Sequence, residues 1–196
     1  MNRSTVVTRT TRETSIRVEL DLDSIREPEI RTGIGFLDHM LVAFATHARI
    51  GLTLTCEGDL EVDDHHTAED CALALGQSFD QALGDRAGIA RFGSAYAPLD
   101  EALSRAVVDL SGRPSACVKL GFEREMIGSI ATENLTHFFS SFSVGSRSTL
   151  HVDLIRGEND HHKAESAFKA LALAVRDAIS RSGDAGSVPS TKGTLS

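Results

Sequence analysis

Tryptophan is absent from the 196 residues and tyrosine occurs once. A chain so poor in large amphipathic rings is a weak candidate for a broad aromatic-lined binding groove. Cysteine is scarce as well. Cys56, Cys71 and Cys117 are odd in number and widely spaced, which excludes a disulfide framework and a CxxC zinc motif and predicts reduced thiols. Positive charge is also short: 20 Lys and Arg against 28 Asp and Glu leave a formal charge of -8. Nucleic acid is therefore not an expected partner, because phosphate contacts need a basic surface. A small anion held by a few placed cations remains open. No segment approaches the ~20 apolar residues of a membrane span, and Met1 to Thr8 carries no long apolar run. A cytoplasmic location, with no membrane contact and no signal peptide, is expected.

What the chain has instead is histidine in a pattern. Asp64-His65-His66-Thr67-Ala68-Glu69 returns as Asp160-His161-His162-Lys163-Ala164-Glu165. Upstream, Leu37-Asp38-His39-Met40 matches Leu135-Thr136-His137-Phe138, and His39 precedes His65 by 26 residues where His137 precedes His161 by 24. The order of elements repeats too. Residues 5–22 alternate like a strand, and Gly33-Ile34-Gly35 leads into a helix with Leu37, Met40, Leu41, Phe44 and Ala48 on one face. Ile50 to Cys56 alternates again, and a helix follows Asp63-Asp64, with Asp64 placed as its N-cap. In the second part, Ser104 to Leu110 and Ser115 to Phe122 read as strands across the turn Ser111-Gly112-Arg113-Pro114. Thr132 to Phe142 reads as a helix, Ser148 to Ile155 as a strand, and Asp160 to about Arg181 as the last helix.

These patterns predict an α/β (α+β) chain of two duplicated strand–strand–helix–strand–helix halves, each a small mixed sheet with helices on one face. The halves are placed at 1–92 and 93–182, with a tail at 183–196 of linker composition.

On a helix, residues i and i+4 nearly coincide while neighbours point about 100° apart. His65 with Glu69, and His161 with Glu165, can each chelate one ion. His66 and His162 must serve elsewhere. The duplication suggests a swap, with one ion held by His65, Glu69, His137 and His162, and another by His39, His66, His161 and Glu165. Whether the swap runs within one chain or between chains is open. Imidazole with carboxylate suits a borderline divalent ion that accepts six ligands; Mn²⁺ fits, and spacing alone leaves Zn²⁺ and Fe²⁺ open. Asp64 and Asp160 would either orient imidazoles or cap helices, and Asp38 would orient one. His47, on the helix of His39, is read equally as structural or substrate-contacting, and His151 as structural.

The motifs then meet a known family. Gly35-Phe36-Leu37-Asp38-His39-Met40-Leu41, both Asp-His-His-x-x-Glu segments, Arg91-Phe92-Gly93, Asp109 to Pro114 and Ser190-Thr191-Lys192-Gly193 resemble imidazoleglycerol-phosphate dehydratase over nearly the whole chain. The resemblance implies a hydro-lyase of histidine biosynthesis, making imidazole-acetol phosphate from imidazole-glycerol phosphate through an imidazolate and a diazafulvene-like intermediate. It implies two Mn²⁺ per subunit on the eight residues above, and self-association into a 24-mer with metal sites at subunit contacts. Substrate contacts carry over onto Glu13, His47, Arg91, Arg113, Lys169, Ser190, Thr191 and Lys192, beside the metal-site residues His39, His65, Glu69 and His161. Glu13, His47, Glu69 and Glu165 are the expected catalytic groups, with Glu13 as the acid/base. Arg91, Arg113 and Lys192 would hold the phosphate, and the tail would order over it. No fused phosphatase domain is expected. A ferritin-like metal store would use Glu-x-x-His on four long helices, and a di-metal phosphoesterase would need a bridging carboxylate. Neither pattern is the one present.

Overall fold

The computed structural model describes residues 3–182 and 186–195. Of the expected tail, residues 183–185 and 196 lie outside the described set, as do residues 1 and 2 of the first half. The first half comprises β1 (Ser4–Thr10), β2 (Thr14–Asp21), β3 (Glu29–Arg31), α1 (Gly35–Ala48), β4 (Gly51–Gly58) and α2 (His65–Leu83). The second runs β5 (Phe92–Leu99), β6 (Ala102–Asp109), β7 (Ser115–Lys119), a two-residue hairpin β8 (Met126–Ile127) and β9 (Ile130–Ala131), α3 (Thr132–Ser146), β10 (Thr149–Arg156) and α4 (Asp160–Ala178).

Two four-stranded mixed sheets result, with orders β1-β2-β4-β3 and β5-β6-β10-β7. The last strand of each order pairs in parallel with its neighbour and the other pairings are antiparallel, so both halves share one topology. The duplication extends to the helix ends. Arg49 and Arg147 adopt left-handed φ of 58° and 50° and close α1 and α3 through equivalent backbone bonds to Thr46 and Val144.

This is the expected duplicated α/β arrangement, with one strand more in each main sheet and the β8–β9 hairpin added in the second half. The run 5–22 is broken at Thr11-Arg12-Glu13 into the β1–β2 hairpin. β5 went unpredicted because Phe92 to Leu99 holds Gly93 and Pro98 and alternates weakly. β7 stops at Lys119 rather than Phe122, α3 continues to Ser146, and α4 ends at Ala178 rather than near Arg181.

Alternation sets the inner faces. Ile16, Val18 and Leu20 of β2, and Ala102, Ser104, Ala106 and Val108 of β6, are buried while their neighbours are not. α2 covers the first sheet and α4 the second, while across the duplication α1 packs against α4 and α2 against α3. One continuous core spans both halves, with Phe44, Phe79 and Phe142 meeting edge to face at its centre. α2 and α3 come together backbone on backbone. A Cβ on Gly145 would lie 2.4 Å from the Leu73 carbonyl oxygen, and one on Gly76 would lie 2.6 Å from the Ser146 nitrogen. Among the described residues no helix is long and apolar enough to cross a membrane.

Candidate active site

The pairing of helices from opposite halves brings histidines together twice. At the α1–α4 seam, His39 Nε2 and His161 Nε2 lie 3.0 and 3.3 Å from Glu165 Oε2. At the α2–α3 seam, His137 Nε2 lies 3.2 Å from Glu69 Oε1, and His65 Nε2 lies 3.7 Å from Glu69 Oε2. In each cluster one donor atom from each of the three residues lies within 4.8 Å of the others, so two imidazole nitrogens and a carboxylate oxygen can converge on one cation. Helical spacing makes each chelate, and the cross-half seam supplies each third donor.

His66 and His162 join neither cluster. His66 Nδ1 is 3.0 Å from Asp59 Oδ2, with Glu13 Oε1 3.7 Å from its other nitrogen. His162 Nδ1 is 2.7 Å from Glu101 Oε2, with Asp100 Oδ2 3.8 Å from Nε2. Within one chain, then, three residues of each expected four-residue set come together, and His66 and His162 stand apart from them. The reason is the helical one: neighbours on a helix face different ways, so the second histidine of each motif points away from the cluster. The Asp59 carboxylate raises the proton affinity of His66, and the Glu101 carboxylate does the same for His162.

The aspartates expected to orient imidazoles do other work. Asp64 Oδ2 accepts from the Ala131 N–H at 2.7 Å and from Asn134 Nδ2 at 3.0 Å, binding α2 to the start of α3. It makes no side-chain cap, and Asp63 accepts from His65 N instead. Asp160 is buried against Lys163 at 2.8 Å and accepts from the Glu123 and Arg124 N–H groups, while Asn159 caps α4. Asp38 accepts from the Thr32 N–H and hydroxyl. The groups against the imidazoles are instead Asn134, Asp59, Glu101 and Phe36, none of which was expected in that role. Because Asn134 Nδ2 donates to Asp64, its oxygen faces His65 Nδ1 at 2.8 Å, so Nδ1 carries the proton and Nε2 is left as the donor atom. His161 has the Phe36 ring edge-on at 5.0 Å instead. Asn134 and Phe36 stand three residues before His137 and His39, a helical spacing that signals the shared face.

Lys169 donates to Glu165 Oε1 at 2.5 Å. Burial alone would raise the Glu165 carboxyl, but Lys169 and His39 outweigh it and hold it at about 2. His47 is half-buried one helix away, and burial followed by the nearby Lys169 charge lowers its proton affinity. His151 stands exposed on β10.

Arg91, Ser111, Arg113, Ser190, Thr191, Lys192, Thr194 and Leu195 line a separate cavity of about 230 Å³. Asp109 accepts from Arg91 at 2.7 and 3.1 Å and the Pro189 carbonyl accepts from it at 2.8 Å, so the guanidinium is held while its remaining N–H groups are free to meet an anion. This cavity lies at the far end of α4, where the Arg91 N–H bonds the Ala178 carbonyl. About 20 Å of helix separates that point from Glu165.

A sequence model of the imidazoleglycerol-phosphate dehydratase family matches residues 32–175. The chain belongs to this family. A Phaffia rhodozyma dehydratase is 58% identical over 98% of this chain and 96% of its own length. A Phytophthora nicotianae relative is 57% identical over 98% of this chain, which spans 42% of that longer protein. The crystal structure of the Staphylococcus aureus imidazoleglycerol-phosphate dehydratase superposes with a TM-score of 0.83 at 35% identity, covering 91% of this chain and 99% of that one. The dehydratase family accounts for the activity class, a hydro-lyase of histidine biosynthesis.

Proposed function

We propose that the chain is a metal-dependent imidazoleglycerol-phosphate dehydratase, loaded with two Mn²⁺ per subunit and active as a 24-mer. The observation that carries this reading is the pair of three-donor clusters, each short of the fourth ligand that His66 or His162 would offer. Donor chemistry fits: imidazole and carboxylate without thiolate suit Mn²⁺. His66 of one copy would complete the His39–His161–Glu165 cluster of another, and His162 the His65–Glu69–His137 cluster. The cavity holding Arg91 and Arg113 supports assembly independently. Substrate ring and phosphate are joined by only three carbons, and no such molecule spans both ends of α4.

When bound, the two ions would supply Lewis acidity and a template for the ring nitrogens. The chain's own groups do the rest. Arg91, Arg113, Ser190, Thr191 and Lys192 take the phosphate, with guanidinium and ammonium donors matched to its charge. Lys169, braced by Glu165, and the half-buried His47 face the hydroxyl-bearing carbons of the substrate. Glu13 stands beside His66, and so arrives with it at the neighbouring copy's cluster. Its side chain is 51% exposed and, among the described residues, makes no hydrogen bond, leaving it free to move the carbon-bound proton.

Incubating the Mn²⁺-loaded protein with imidazole-glycerol phosphate tests the reading. A ketone product is expected; released phosphate would favour a phosphoesterase, and no reaction a metal store. Sizing with and without Mn²⁺ tests the assembly, which should depend strongly on the ion. Glu13→Gln should retain its metal and lose turnover by about 100- to 10,000-fold, the range of a general acid/base. Near-wild-type turnover would remove Glu13 from that role.

A further inference from the structure

Two carboxylates occupy the same place in the duplicated fold. Glu13 is the last residue before β2, and Glu101 the last before β6, each at the tip of a hairpin beside the second histidine of an Asp-His-His motif. Their contacts have diverged. Glu13 lies 3.7 Å from Nε2 of His66, while Asp59 holds that ring from the other side through Nδ1. Glu101 has taken the position behind the ring, with Oε2 at 2.7 Å from Nδ1 of His162. Its other oxygen accepts from the Asn159 N–H at 2.9 Å and from the Glu158 N–H at 3.2 Å. The two-residue turn that carries it places Asp100 at a left-handed φ of 46°, so both ends of the contact are fixed.

We infer that Glu101 is a positioning residue for the dehydratase reaction, setting the tautomer and aim of His162 so that its Nε2 can complete a neighbouring copy's His65–Glu69–His137 cluster. This rests on the metal-bridged reading proposed above. The chemistry is that of an outer carboxylate behind a ligating imidazole. An ionised carboxylate only accepts, so the proton must sit on Nδ1 and the lone pair on Nε2. The division of labour between the copies follows. In the first half Asp59 does the aiming and Glu13 is left free for chemistry. In the second Glu101 does the aiming and is not available for proton transfer. Capping α4 is not its main task, since Asn159 already caps that helix through the His161 N–H at 2.9 Å.

Glu101→Gln separates aiming from capping. With its oxygen kept on the two backbone N–H groups, the amide N–H₂ faces Nδ1, which must then accept. The proton moves to Nε2 and the ligand is lost. Mn²⁺ titrations of wild type and variant, reading free Mn²⁺ by electron paramagnetic resonance, should show two ions per chain in wild type. In the variant one ion should bind about 10- to 100-fold more weakly and the other normally, with the metal-free melting temperature unchanged. Two ions at wild-type affinity in the variant would overturn the inference. So would a lower melting temperature with both ions weakened alike, which would make Glu101 a helix support. A wild type that binds no divalent ion would instead overturn the metal-bridged reading itself, and this inference with it.

Discussion

At the α2–α3 seam two glycines let the helices touch, with Gly145 eight residues after His137 and Gly76 seven after Glu69. At the α1–α4 seam the matching positions hold His47, eight after His39, and Ala172, seven after Glu165. The contrast continues one turn along, where Leu73 follows Glu69 by four residues and Lys169 follows Glu165 by four. One cluster therefore has a carboxylate with no Lys or Arg partner among the described residues and an imidazole held by Asn134. The other has a carboxylate braced by an ammonium, an imidazole against Phe36 and a third histidine, His47, nearby. Duplication supplied two equal chelates, and divergence gave the α1–α4 seam polar groups that a bound ion alone does not need. On the proposed reading, that seam also meets the reacting carbons.

The largest expected effect comes from removing each chelating carboxylate. Glu69→Gln and Glu165→Gln should each weaken one Mn²⁺ by roughly 100- to 1000-fold, about one ligand's share of the binding free energy of a four-ligand site. Only Glu165→Gln should also shift KM, because it frees Lys169. Metal content after dialysis and steady-state kinetics check this, and identical behaviour of the two variants would erase the distinction. Next comes the phosphate end. Arg3 and Arg91 both stand one residue before the first strand of a half, yet Arg3 is tied to Asp23 and the Ile179 carbonyl while Arg91 lines a cavity. Arg113→Ala should raise KM about 10- to 100-fold, the loss of a charged hydrogen bond, whereas Arg3→Ala should leave KM where it was.

Gly145→Ala should cost about 1–3 kcal/mol in denaturant unfolding, since a methyl has nowhere to go against backbone atoms. Ala172→Gly on the other seam should cost no more than about 1 kcal/mol of helix propensity. The smallest effect is in acid. Burial opposes ionisation of Asp160, but Lys163 and the Arg124 and Glu123 N–H groups outweigh it, so its carboxyl titrates below its ordinary value. A depressed folded value means stability that is complete above the unfolded value of about 3.9 and is lost as pH falls below it. Thermal melting of Asp160→Asn should lack that part of the acid-induced loss.

Helical spacing made the chelates legible, because i and i+4 geometry is local, and the repeat made the cross-half partners legible by order alone. That His66 and His162 point away from their neighbours' clusters was legible for the same local reason. What surrounds the imidazoles was not. Asp64 looked like a cap and bonds the other half of the chain, and Asp59 and Glu101 reach their rings from strand ends and hairpin tips whose position only the fold sets. Glu101 left one trace, its correspondence to Glu13, but that required finding β5, which Gly93 and Pro98 disguised. The phosphate-end residues carried no periodicity at all, and they meet because β5, β7 and the tail converge at the end of α4.

Placing the Arg91 cavity and the His39–His161–Glu165 cluster at opposite ends of α4 has a genetic consequence. On the proposed assembly, a chain damaged at Arg113 still donates sound chelates, and a chain damaged at Glu165 still donates a sound cavity. Co-expressed, two such inactive alleles should complement each other, because some catalytic centres in a mixed shell would draw only on undamaged pieces.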